Sequence, residues 1–165
     1  MIGVRQRSYA FQNEDFVPPY RSAANSAFPQ HGVRVPGFQS PWLQVLKARF
    51  SELTSLPRGW DSYHGQPVSF ECANFAAALL DRIYVKDVSV PALVPGSDGT
   101  LQIEWHKNNY DIEIDVIGAN NVIASRYDHV SGAETVSELD NEFSELVTWI
   151  RDMASERADF AAASA

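Results

Sequence analysis

The chain has 165 residues, 45% of them hydrophobic, and a formal net charge of −8, enough for one compact domain with an adequate core. No apolar run approaches the roughly 20 residues of a membrane span, and the N-terminus, Met-Ile-Gly-Val-Arg-Gln-Arg-Ser-Tyr, lacks the apolar stretch of a secretory signal. Cys72 is the only cysteine, which excludes an intrachain disulfide and a thiolate-rich zinc site, so a cytoplasmic protein with no membrane partner is expected.

The charge is unevenly placed. Residues 1–40 hold Arg5, Arg7, Arg21 and Arg34 against Glu14 and Asp15, whereas residues 98–165 hold four basic and fourteen acidic groups. The acidic C-terminal part repels a phosphate backbone and suits a basic protein partner.

Residues 1–40 read as an extended or disordered arm. Pro18, Pro19, Pro29 and Pro36 interrupt every periodic pattern. Yet six aromatics (Tyr9, Phe11, Phe16, Tyr20, Phe28 and Phe38) are many for a linker, and they suit docking on a partner or on a second copy of the chain. Their sparse arginines make a weak single-stranded nucleic-acid platform.

A single α+β domain is predicted over 41–153. Ser40-Pro41 is a helix start, with Ser as N-cap and Pro at the first helical position. Trp42, Val45, Leu46, Phe50 and Leu53 follow at helical spacing, and Pro57 ends the run. Ser69 caps a second helix, with Glu71 in its first turn and a buried stripe of Cys72, Ala76, Leu79, Leu80 and Ile83. Cys72 is therefore expected as a small core residue.

Strands come next. Val88–Val94 reads as a short edge strand because it contains Pro91, and Pro95–Gly99 as a turn. Leu101, Ile103 and Trp105 alternate with polar residues, as do Tyr110, Ile112, Ile114 and Val116, the period of half-buried antiparallel strands. Asn108-Asn109 supplies the positive φ angles of a two-residue hairpin, Gly118–Asn121 a four-residue turn, and Val122–Tyr127 the last strand. A final helix is expected from near Ser137, packing through Leu139, Phe143, Leu146, Val147 and Ile150, with an Ala-rich tail over 154–165. The order is α-α-β-β-β-β-α, an antiparallel meander of three to four strands with helices packed on one face.

Two constellations could carry chemistry. On the outer sheet face, the Asn108-Asn109 turn places His106 opposite Asp111 and Glu104 opposite Glu113, about 5 Å apart. The four-residue second turn places Arg126 opposite Glu113. Glu104, His106 and Glu113 form the candidate set for a divalent metal, and with it for a metal-dependent hydrolase or nuclease. Asp98 with Glu104 and His106 faintly echoes a nuclease pattern. His31 and His129 have no companions at ligand spacing and are expected to face solvent.

The second constellation is the loop Leu56-Pro-Arg-Gly-Trp-Asp-Ser-Tyr-His-Gly-Gln-Pro-Val-Ser69. Asp61, His64 and Ser62 could act as acid, base and nucleophile, but no nucleophile elbow, phosphate loop or His-Glu-x-x-His pattern accompanies them. The structural alternative has Gly59 making a tight turn, Trp60 plugging the gap between helices and sheet, Asp61 accepting backbone N–H bonds, Tyr63 packing and Pro67 setting the entry to the second helix. Arg58, Tyr63, His64 and Gln66 then remain as the exposed rim of a binding surface, beside Glu104, Asp111 and Glu113 on the sheet.

This loop, the Ala-rich helix after it and Pro-x-Leu-Val-Pro-Gly-Ser-Asp-Gly-Thr-Leu-Gln-Ile-Glu-Trp105 resemble a group of small bacterial and mobile-element proteins. Their pattern runs Leu-Pro-x-Gly-Trp-Asp-Gly-Tyr, a Pro-Ile/Val-Ser helix start, then Asp-Gly and Leu/Ile-x-Glu-Trp. The likeness covers about residues 50–117, with Ser62 where the group more often has Gly. The group carries no established activity, so the resemblance implies a shared domain and no catalytic residue. The expected function is non-enzymatic protein binding without a cofactor, in the manner of an antitoxin, an immunity factor or a phage-defence regulator.

Overall fold

The structure is a computed structural model that describes residues 40–163, with side chains described through residue 155. The arm expected over residues 1–39 lies outside the described residues. Three helices and one antiparallel sheet follow in chain order: α1 (Pro41–Thr54), α2 (Phe70–Arg82), β1 (Ala92–Pro95), β2 (Leu101–Lys107), β3 (Tyr110–Gly118), β4 (Asn121–Asp128), β5 (Glu134–Leu139) and α3 (Ser144–Ala163). The sheet is a simple meander in the order β1-β2-β3-β4-β5. The α+β class and the helices on one face are as expected, but the strands number five rather than three to four.

Both helix starts lie where the sequence places them. Ser69 Oγ accepts from Cys72 N and caps α2. At α1, Pro41 occupies the first turn, but Ser40 caps by position only, since its side chain makes no capping bond and its buried hydroxyl has no partner in the described residues. Its backbone N–H donates instead to Asp81 Oδ1 on α2, which ties the two helices together. Ala73, Ala76 and Ala77 are fully buried, and their small side chains let α2 lie close to α1 and the sheet.

The core lies between the helices and one sheet face. Leu101, Ile103, Trp105, Ile112, Ile114, Val116, Val122 and Ala124 point into it from the sheet. Leu46, Phe50, Leu53, Leu79, Leu80, Leu146, Trp149 and Ile150 meet them from the helices, each large side chain contributing about 1.5–3 kcal/mol on burial. Trp42 is central: its ring packs edge-on to Tyr84 at 5.0 Å and against Trp105 at 5.5 Å. Its indole N–H donates to Val88 O, and that of Trp105 to Ser89 O. These two bonds explain why β1 is shorter than expected. The carbonyls of residues 88 and 89 serve indoles rather than a ladder, and Pro91 has no N–H to offer.

The Asn108-Asn109 hairpin forms as expected, with φ of 51° and 61°. The next hairpin does not. Its turn is tighter, Gly118 pairing with Asn121, and the register slips between Val116 and Gly118. This bulge leaves Ile117 unpaired, and the Ile117 carbonyl accepts from Cys72 Sγ while Glu71 Oε1 takes the Ala119 N–H. The slip moves Arg126 from opposite Glu113 to opposite Ile112, hence to the helix side of the sheet. There its guanidinium lies 4.4 Å from the centre of the Tyr110 ring and 2.9 Å from Asp152 Oδ2 on α3.

The other correction is β5. Ser137 and Leu139, expected in the final helix, are strand residues paired with Ala124 and Val122. Leu139, Phe143, Leu146 and Ile150 mimic helical spacing across a strand, a bend and a helix. The helix itself starts at Ser144 and continues to Ala163, within the residues expected as a tail.

Candidate functional site

The loop over residues 56–69 is organised by its own backbone. Gly59 has φ +77° and donates to Gly65 O at 2.7 Å, closing the loop on itself. Asp61 Oδ1 accepts from the N–H groups of Tyr63 and Gly65 at 2.9 and 2.8 Å, and these bonds hold the Asp61 carboxyl below the usual carboxylate range. Gly65 leaves room for this arrangement, because a Cβ there would fall 2.8 Å from the Asp61 carboxyl and from the Trp60 indole nitrogen and would force them to shift. The acid of the Asp61–Ser62–His64 set is thus committed to loop amides.

Trp60 departs from expectation, while Tyr63 does not pack and has the exposure expected of the rim. Trp60 does not plug the core. It is half-buried, and its N–H donates to Gln66 O within the loop, while Trp42 and Trp105 fill the space between helices and sheet. Tyr63 is 82% exposed rather than packed, and Ser62 beside it has φ +70°. Arg58 and His64 are exposed and Gln66 is half-buried. Gln66 N donates to Ser97 O and Ser69 N to Gly99 O, which fastens the loop to the β1–β2 turn.

The outer sheet face is the second surface. Register sets Ala92, Glu104, Glu113, Ser125 and Val136 in one row across the five strands. Val94, Gln102, Asp115, Ile123 and Glu138 form a second row, and His106, Asp111, Tyr127 and Glu134 a third. Six carboxylates therefore share this face, and none of these positions holds Lys or Arg. The Asp115 carboxyl is pushed above the usual carboxylate range, by burial first and then by the negative charge of Glu104.

The expected pairs His106–Asp111 and Glu104–Glu113 are both present in the register, but their side chains sort differently. His106 Nδ1 lies 2.9 Å from Asp111 Oδ1 and its Nε2 3.3 Å from Glu104 Oε2. His129 Nε2 lies 2.7 Å from Asp111 Oδ2. Glu113 turns away and accepts from Gln102 Nε2. The result is a chain, Glu104–His106–Asp111–His129, rather than a metal cage. Among the described residues no group of three His, Cys, Asp or Glu side chains is arranged to hold a metal ion. With both ring nitrogens facing carboxylates, the charged form of His106 is favoured. The hydrogen bond to Asp111 is the main cause raising its pKa, against a smaller burial effect, and the same bond lowers Asp111.

His129 is exposed as expected but does not stand alone, and its contact with Asp111 is what sequence reading missed. Its backbone N–H donates to Asn109 O across the β2–β3 turn, and its ring packs edge-on to Tyr127 at 4.8 Å. Only the length of β4 and the 128–133 turn bring it to Asp111. The expected binding residues also do not form one site. Arg58, Tyr63, His64 and Gln66 belong to the β1–β2 turn end of the sheet, His106 and Asp111 to the β2–β3 turn end, with Glu104 and Glu113 between.

Among the described residues no helix is long and apolar enough to cross a membrane. No protein-family model matches the chain, and no curated protein or solved structure matches it at significance.

Proposed function

We propose that this is a non-enzymatic binding module that docks a basic protein on the outer face of its sheet. One observation carries the reading: six carboxylates and no Lys or Arg at the paired positions of a five-stranded face that no described helix or strand covers. A face that serves only solubility intersperses both signs. Here Asp115 keeps its place although burial and Glu104 oppose its ionisation. Such a concentration of charge speeds encounter with a basic surface and selects against acidic ones. The class of protein that this suits is an antitoxin, an immunity factor or a defence-related regulator that occludes the nucleic-acid groove of a basic partner.

The test compares the full chain with a Glu104→Gln, Glu113→Gln, Asp115→Asn variant in affinity capture from cells carrying the gene. Strongly basic proteins retained at low salt by the parent and lost by the variant are expected. The variant should also unfold at higher denaturant, because Asp115→Asn removes an acid whose folded pKa is raised and whose ionised form opposes folding above about pH 4. Identical capture by the two chains, together with an unchanged phenotype on deletion, refutes the reading.

A further inference from the structure

The two edges of the sheet are built differently. β1 has four residues, ends on Pro95 and is preceded by Pro91, and the Arg49 side chain holds its Leu93 carbonyl at 3.1 Å. Such features close an edge to further pairing. β5 has none of them. Glu134, Thr135, Val136 and Glu138 are all exposed, and no described strand or helix lies beyond them.

Which backbone groups β5 leaves open follows from the turn before it. Asp128 N donates to Ala133 O at 2.9 Å, and Arg126 pairs with Thr135. Hydrogen-bonded pairs alternate along an antiparallel ladder, so the C=O of Ala133 and both the N–H and C=O groups of residues 135, 137 and 139 are spent on β4, while the Ala133 N–H donates to Ser131 Oγ. The N–H and C=O groups of Glu134, Val136 and Glu138 point away from the sheet. The same three residues place their side chains on the acidic outer face, with Val136 60% exposed between the two acids.

We infer that β5 is an edge for strand addition, and that its occupant is an extended segment of a basic protein in which Lys or Arg flanks an apolar residue at alternate positions. The inference rests on the reading of the outer face as a docking surface and names how the partner engages it. An added antiparallel strand sets its basic residues about 5 Å from Glu134 and Glu138 and its apolar residue on Val136. Its main chain then satisfies the three outward N–H and C=O pairs. A second copy of this chain fits worse. The antiparallel register that engages all three residues on both strands, centred on Val136, sets Glu134 opposite Glu138 twice, and opposed like charges are destabilising.

The experiment titrates the isotope-labelled full chain with the blocked peptide Thr-Lys-Thr-Val-Thr-Lys-Thr and with its Glu-for-Lys counterpart. With the lysine peptide, the amides of Glu134, Val136 and Glu138 should shift, and their hydrogen exchange should slow on the order of tenfold at saturation; the acidic peptide should do neither. Val136→Pro deletes one outward N–H without touching the β4 ladder and should abolish the protection. Glu134→Lys with Glu138→Lys is the second variant and should exchange the preference, admitting the acidic peptide and rejecting the basic one. Shifts confined to Glu104, Glu113 and Asp115 and indifferent to Val136→Pro overturn strand addition while leaving the charged docking face standing. Silence of all amides toward both peptides overturns the inference outright. A dimer in sedimentation that Val136→Pro converts to monomer overturns it in favour of a second copy.

Discussion

Replacing Arg126 by Met tests the register slip that the bulge at Ile117 imposes. Met keeps the apolar stem and removes the guanidinium, which lies 4.4 Å from the centre of the Tyr110 ring and 2.9 Å from Asp152. A cation–π contact is worth about 0.5–1 kcal/mol in water and about 2 when desolvated. With the Arg126 side chain 19% exposed, an intermediate value of about 1–1.5 kcal/mol is appropriate. The ion pair adds about 0.5–1 kcal/mol, the value for a largely exposed pair, because Asp152 is 46% exposed. Arg126→Met should therefore cost about 1.5–2.5 kcal/mol, a shift of roughly 1 M in the urea midpoint. Double-mutant cycles then locate the guanidinium. Coupling with Asp152→Asn should be about 0.5–1 kcal/mol, and coupling with Glu113→Gln close to zero, since Glu113 projects from the opposite face. Coupling to Glu113 with none to Asp152 would place Arg126 on the outer face and refute the slipped register.

Two further outcomes follow from local geometry. Ser62, at φ +70°, holds a left-handed conformation that costs an L-residue about 1–2 kcal/mol. After the entropy lost from a more flexible unfolded chain, Ser62→Gly should stabilise by about 0.5–1 kcal/mol in urea melts, and a destabilised variant would contradict the strain. His106 sets a pH dependence. Its folded pKa is raised, so its contribution is complete below about pH 6.5 and is lost as pH rises through the folded value; that of Asp111 is depressed, so its contribution is complete above about pH 4 and is lost as pH falls through its folded value. Parent stability should decline above about pH 6.5 relative to His106→Gln, measured as the difference of urea midpoints between pH 6 and 8.5, with His64 and His129 common to both chains. Parallel curves would remove the Glu104–His106–Asp111 chain as the cause.

The outer face was legible in the sequence to the extent that strand alternation and an Asn-Asn turn specify it. Period two sends Glu104, Glu113 and Asp115 outward, and positive φ at Asn108 and Asn109 sets which acid faces which residue. The distribution of contacts among them was not legible. Glu113 prefers Gln102, and Asp111 bridges His106 to a histidine 18 positions further on, because side-chain partners are chosen in three dimensions and alternation specifies only a face. β5 left no trace, since an edge strand exposed on most of its surface needs no hydrophobic period, and its one inward apolar residue, Leu139, sits in phase with the helix that follows.

The aromatic loop shows the same division. Gly59, Asp61 and Ser69 act through bonds to residues within six positions, so their roles in the turn and in the helix cap were readable from the chain alone. Local composition likewise decided the α+β class, the two helix starts and the acidic surface, each a matter of propensity, capping or charge. Tertiary structure alone decided that Trp42 and Trp105, not Trp60, fill the core, that a bulge carries Arg126 through to the helix side, and that β5 is the last strand of the described sheet. Those outcomes depend on which distant carbonyl, ring or strand is within reach once the sheet has twisted and closed against its helices.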